Sequence, residues 1–244
     1  TARSQIVRLA GATPCYVSKE DLRFELPVLA DNLEQHILAL DTPPDVIHAH
    51  YADAGRLALE MKRRLGIPFI FTAHSLGCVK SRTLDSNAVS SALHERIATE
   101  EDVIAGADRI FASSMDEAEL QYGLYQSYRP EIIRVNPPGC DLDAFAHEKT
   151  MSGSAVAQRD KFLSDPRKPS ILALARPVQK KNLSGLLHAY GKNASLQGVA
   201  NLVIYAGTRC SLADEDTEAR KVIQELFELI DHYDLWGKVA MPKT

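Results

Sequence analysis

The sequence predicts an α/β fold built from two parallel-sheet units, and three observations carry that prediction. Short apolar runs without polar alternation recur along the chain, as expected of strands covered on both faces. Segments with apolar residues at helical spacing separate them. A polar stretch at about 147–168 then interrupts this alternation once, before it restarts.

In chain order, strands are expected at 45–50, 68–74, 109–113, 132–136, 171–175, 202–206 and 239–241. Helices are expected at 20–40, 55–65, 88–105, 114–122, 183–190 and 216–232, with a short one at 157–163. The domain reading follows: residues 1–150 as a first Rossmann-like unit, 151–169 as a linker, and 170–244 as the start of a second. From 170 onward only about three strands can be built, where a doubly wound domain needs more. The first residues show neither an initiator Met nor a signal peptide, so the expectation is a fragment of a longer protein.

The composition narrows the function classes. The chain has 244 residues, 45% hydrophobic and 25% charged, with a formal net charge of −4 and a pI near 6.1. There is no global basic field to hold nucleic acid or an anionic membrane, so Arg and Lys must act locally. No apolar run reaches the roughly 18 residues needed to span a bilayer. Cys15, Cys78, Cys140 and Cys210 are scattered without a C-x-x-C pair, which suits free thiols in a cytoplasmic protein.

The most informative stretch is Ser170-Ile-Leu-Ala-Leu-Ala-Arg176-Pro-Val-Gln-Lys-Lys181-Asn182. A strand ends in a loop with two cations, and Asn182 caps a helix whose Leu183, Leu186, Leu187 and Tyr190 share one face. Cations ahead of a helix N-terminus suit an anion such as a diphosphate, because the helix dipole and free amides add to their field. Two solvated basic residues on an αβ loop explain the same residues without a ligand.

Other polar groups gather where ligands of open α/β sheets bind, at the C-terminal ends of strands. His48 and His50 lie on one side of a strand, as metal ligands would, but no third ligand has suitable spacing. His74 and Cys78 could pair as base and nucleophile, yet no orienting Asn or Asp accompanies them. Asp141-Leu-Asp143 matches a metal-nucleotide pattern, but both acids read better as helix-start residues, as do Asp214-Glu-Asp216. No metal site is expected.

Taken together, these words resemble the two-domain GT-B retaining glycosyltransferases of family 4, specifically the sucrose-phosphate synthase group. They are Val46-Ile-His-Ala-His-Tyr51-Ala-Asp-Ala-Gly55, Thr72-Ala-His74-Ser-Leu-Gly77 with Lys80, Arg96-Ile with Glu100, Pro137-Pro-Gly139, and Ala173-Leu-Ala-Arg176-Pro with Lys180-Lys181-Asn182. The resemblance implies a GT-B fold with both domains incomplete in this chain. It implies glucose transfer from UDP-glucose to fructose 6-phosphate, without a metal cofactor, in a cleft between the domains.

By the same resemblance, Arg176 and Lys181 hold the donor diphosphate and stabilise its departure, with Gly139 beside the donor. His74 lies by the transferred hexose. Lys80, Arg96 and Lys19 hold the acceptor phosphate, and Tyr51 lines the acceptor sugar. Helix ion pairing explains Arg96 with Glu100 equally well. The family's glycine-rich loop and its paired donor-gripping glutamates have no counterpart here. Sucrose synthase, mannosylfructose-phosphate synthase and a non-catalytic sugar-phosphate or nucleotide-binding module remain alternatives, whereas a nicotinamide dehydrogenase lacks its G-x-G-x-x-G.

Overall fold

The computed structural model describes residues 4–15, 17–18, 21–83, 90–145, 153–207, 211–215 and 217–243. The chain divides into two compact units, Thr1–Cys140 and Asp141–Thr244.

The first unit carries four strands: β1 (Ile47–His50), β2 (Phe69–Thr72), β3 (Arg109–Ala112) and β4 (Ile133–Val135). They pair in parallel in the order β1-β2-β3-β4, with Ala49 opposite Phe71 and Ile110 opposite Ile133. Helices α1 (Leu26–Leu38), α2 (Tyr51–Leu65), α3 (Gly77–Thr83) and α4 (Ser91–Gly106) accompany them. Phe69, Phe71, Val103, Ile104 and Ile110 are fully buried in one cluster, so α4 and the sheet share a core. Burial of each large apolar side chain contributes about 1.5–3 kcal/mol. The opposite sheet face, with His48 and His50, is exposed in β1.

Lys62 ties α2 to the start of β3, donating to Asp108 Oδ1 at 2.7 Å and to the Gly106 carbonyl at 2.9 Å. Burial alone would raise the Asp108 carboxyl. Hydrogen bonds from Lys62 and the Phe69 amide outweigh it and hold the group below its ordinary value.

The second unit has a parallel sheet in the order β5 (Ser170–Leu174), β6 (Asn201–Tyr205), β7 (Val239–Ala240). Its helices are α5 (Gly153–Asp160), α6 (Leu183–Gly191), α7 (Ala194–Val199) and α8 (Thr217–His232). Leu187, Leu202, Ile204, Ile223 and Leu226 form the centre of its core. No helix among the described residues is long and apolar enough to cross a membrane.

All seven expected strands form, with ends shifted by one or two residues. The helices differ more. Residues 114–122 contain a π-helical turn, Glu117–Gln121, followed by a 3-10 turn, Tyr122–Leu124. Helices α3 and α7 were not expected. Asp141 starts no helix; its Oδ1 instead accepts from the Asp143 and Ala144 amides at 3.1 Å, closing a turn. The stretch read as a linker is docked at its end: Leu163 is buried with Val203 and Ala240, and the Ser164 amide donates to the Gly237 carbonyl at 2.8 Å. Apolar contact at Leu163 draws this segment onto the second sheet.

Candidate functional site

Two clusters of polar groups arise, one in each unit. In the first unit, β2 leads into the loop carrying His74, and three long-range groups pin that loop from below. The Ala73 amide donates to the Tyr122 hydroxyl at 3.3 Å. The Gly77 amide donates to Glu100 Oε2 at 2.8 Å, and the Cys78 amide to the Tyr125 hydroxyl at 3.1 Å. The Tyr125 hydroxyl in turn donates to Glu100 Oε2. Both tyrosines follow the π-helical turn, a device often found beside functional sites. Burial first, and then the Glu100 carboxylate, push the Tyr125 hydroxyl well above its ordinary value.

Glu100 is the centre of this arrangement and is fully buried. Arg96, one helical turn earlier on α4, donates from Nε to Glu100 Oε1 at 2.8 Å and from a terminal nitrogen to the Ser75 carbonyl. The helix ion pair expected from the sequence therefore exists, and it also clamps the His74 loop. A Cβ at residue 77 would fall 2.7 Å from Ile97 and 2.9 Å from Glu100, so glycine permits this close approach.

His74 and Tyr51 both have left-handed backbones, with φ of 55° and 68°. Such conformations cost about 1–3 kcal/mol each and persist where the surroundings over-determine them. Here they bring the two rings to 4.8 Å. His74 Nε2 lies 2.7 Å from His50 Nδ1, and His48 Nε2 lies 2.9 Å from Thr72 Oγ1. Burial, then the neighbouring His50 and His74 rings, hold His48 below the usual histidine value. The histidine pair seen in the sequence is thus part of a three-ring stack at the ends of β1 and β2. No group of three or more His, Cys, Asp or Glu suited to a metal ion occurs among the described residues. Burial leads the effects that push the Cys78 thiol up, which disfavours the thiolate a Cys–His nucleophile pair requires.

Beside the stack opens a cavity of about 800 Å3. Its walls include Tyr51, Lys80 and Arg96, three of the four residues matched to the acceptor site, together with His50. The fourth, Lys19, lies outside the described residues. Arg23, Asp53 and Glu95 also line it, and sequence reasoning singled out none of them for this role. The only sequence signal for Arg23 is a basic residue close to Lys19.

In the second unit the loop after β5 has a different character. Gln179–Lys181 forms a 3-10 turn, and the Gln179 amide donates to Glu218 Oε1 on α8 at 3.1 Å. Asn182 then adopts a left-handed backbone at φ 50° and accepts from the Gly185 amide at 3.2 Å, capping α6. A Cβ at residue 185 would lie 2.5 Å from Asn182 Oδ1, so glycine makes room for the cap. Leu183, Leu187 and Tyr190 are buried as the periodicity requires. Lys181 and Arg176 are both exposed, and neither forms an ion pair with a described residue. Gly139 lies in the exposed loop after β4, where a Cβ would meet nothing within 4 Å.

Comparison with known proteins agrees with these observations. Residues 6–139 match the model of the glycosyl transferase 4-like domain. The probable sucrose-phosphate synthase 4 of Oryza sativa subsp. japonica is 32% identical over 98% of this chain, which spans 28% of that protein's length. The solved sucrose-phosphate synthase of Thermosynechococcus elongatus superposes with a TM-score of 0.69 at 20% identity, over 98% of this chain and 54% of that one. Anabaena HepE, solved in complex with UDP and glucose, gives a TM-score of 0.60 at 14% identity, over 94% of this chain and 53% of that one. The α/β architecture with parallel sheets is that of the GT-B glycosyltransferases. The chain belongs to the glycosyl transferase 4-like family.

Proposed function

We propose that the protein from which this sequence comes is a retaining hexosyltransferase that moves glucose from UDP-glucose to fructose 6-phosphate, giving sucrose 6-phosphate. The observation that carries the reading is the cavity of the first unit, whose lining includes Lys80, Arg96 and Tyr51. A dianionic phosphate ester needs such a local group of cations in a chain of net charge −4. Similarity to sucrose-phosphate synthases along nearly the whole chain supports the acceptor chosen.

In this reading the first unit recognises the acceptor. Tyr51 packs against the fructose ring, while Lys80, Arg96 and Lys19 hold its phosphate. The second unit recognises the donor. Arg176 and Lys181 neutralise the diphosphate, at the N-terminal side of α6, and Gly139 lets the donor approach the backbone. Nucleotide sugar is the donor class, and UDP-glucose the member proposed.

The bond that breaks joins the glucose anomeric carbon to the diphosphate oxygen. Negative charge grows on that oxygen, and Arg176 and Lys181 stabilise it more as it grows, which lowers the barrier. The departing phosphate takes the proton of the attacking acceptor hydroxyl, and the new bond forms on the face that the diphosphate leaves. His74, fixed by its loop and by His50, interacts with the hexose hydroxyls as oxocarbenium character develops. Fixed cations perform the neutralisation for which other transferases use a divalent metal, so we propose metal-independent transfer in the cytoplasm.

The test is a product assay in EDTA with UDP-glucose and either fructose 6-phosphate or fructose, with anomeric configuration read by NMR. Retained sucrose 6-phosphate from the phosphate ester alone supports the reading. Equal transfer to free fructose points to the sucrose-synthase type, and EDTA-sensitive transfer would contradict the metal-independent step.

A further inference from the structure

We propose that Arg23 is an additional phosphate-binding cation of the first-unit cavity, held ready by an exchangeable pair with Glu95. This rests on reading that cavity as the site for a sugar phosphate. Arg23 lies in the 3-10 turn Leu22–Phe24 ahead of α1, while Glu95 lies on α4; both line the cavity that Lys80 and Arg96 line.

The two ion pairs at this cavity are built for different purposes. Arg96 and Glu100 have side chains only 14% and 0% exposed, and Glu100 also carries the Gly77 amide and the Tyr125 hydroxyl. Separating them would strand a buried carboxylate. Arg23 and Glu95 are 35% and 57% exposed, and a pair in that environment is worth little in water. It can open at small cost.

The Arg23 guanidinium is also incompletely used. Its NH1 donates to Glu95, whereas its Nε is buried and has no hydrogen-bond partner among the described residues. The group rests over the Phe24 ring, with Cζ 4.6 Å from the ring centroid, which restricts its orientation. A phosphate dianion offers several oxygens and can accept from a terminal nitrogen, and from Nε as well once the pair with Glu95 opens and the side chain turns to uncover it. A guanidinium with a buried, unanswered Nε is therefore better matched to a phosphate than to its present partner. Glu95 competes for the same cation and adds negative charge to the wall.

Opposite effects of the two partners test the proposal. Fructose 6-phosphate, and inorganic phosphate as a second probe, are titrated calorimetrically into the wild-type chain, R23Q, E95Q and R23Q/E95Q. Thermal unfolding of each variant checks that the fold is retained. R23Q is expected to weaken binding about tenfold, and E95Q to tighten it about threefold. In the R23Q background E95Q should give no tightening, because the cation it releases is gone. Unchanged affinity in R23Q, weakening in E95Q, or equal tightening by E95Q in both backgrounds would overturn the role of Arg23 while leaving the acceptor reading intact. If neither probe binds the wild-type chain, the acceptor reading fails together with this one.

Discussion

The two polar clusters are built on opposite plans. In the first unit, the loop after β2 is locked from beneath by Tyr122, Tyr125 and Glu100, and Arg96 is shared between the cavity and the buried carboxylate. In the second unit, Arg176 and Lys181 project from a loop held by backbone turns, the Asn182 cap and one contact to Glu218. Proposed binding residues that double as structural struts gain preorganisation, but their loss also costs the fold. Residues on an open loop can be removed with little structural penalty, so their variants report on ligand alone.

Five substitutions would break or sharpen this contrast. Glu100→Ala is the severest: it leaves Arg96 and Tyr125 without their buried partner and should lower stability by about 3–5 kcal/mol in denaturant titration. Retention of wild-type stability would remove Glu100 from the centre of the account. Tyr125→Phe deletes one hydroxyl contacting both Glu100 and the Cys78 amide, and should cost about 1–2 kcal/mol. In the second unit, Asn182→Ala loses a helix cap and must keep a left-handed backbone without one, at about 1 kcal/mol or slightly more. Its melting temperature should fall less than that of Tyr125→Phe.

Asp108→Asn tests the tether between α2 and β3 through its pH dependence. The folded-state pKa of Asp108 is lowered, so its contribution is complete above the unfolded value of about 3.9 and fades as pH falls through the folded value. The variant should be less stable near neutrality and show a flatter acid limb in a stability-against-pH profile. An unchanged acid limb would argue against the Lys62 contact. Smallest in stability is Lys181→Ala, expected to stay within about 0.5 kcal/mol of wild type while weakening UDP binding about tenfold. A large loss of stability there would erase the contrast between the units.

The sequence discloses features whose cause is local and conceals those whose cause is distant. Apolar runs mark β1 to β7 in the sequence, although only β6 and β7 are covered on both faces; one face of β1 is exposed, and in β5 Leu172 and Leu174 are exposed. The α6 start is legible because Asn182 and the spacing of Leu183, Leu187 and Tyr190 lie within a few turns of chain. Helix α3 is not, since Gly77-Cys-Val-Lys-Ser-Arg has no apolar period; its first amides are held by Glu100 and Tyr125, more than twenty residues away. Arg96 and Glu100 could be read as an ordinary i, i+4 pair, while the reach of Arg96 to Ser75 required the fold. Arg23 carries no such mark for the same reason: only the fold places it in the lining of the cavity that Lys80 also lines. Left-handed backbones at Tyr51 and His74 carry no mark in residue type, because neither is a glycine.

The most direct test of the central claim is calorimetric titration of this chain with fructose 6-phosphate and, separately, with fructose. The account predicts saturable binding of the phosphate ester alone, abolished in Lys80→Ala without loss of the folded state. Equal binding of both sugars, or binding of the ester unaffected by Lys80→Ala, would contradict it.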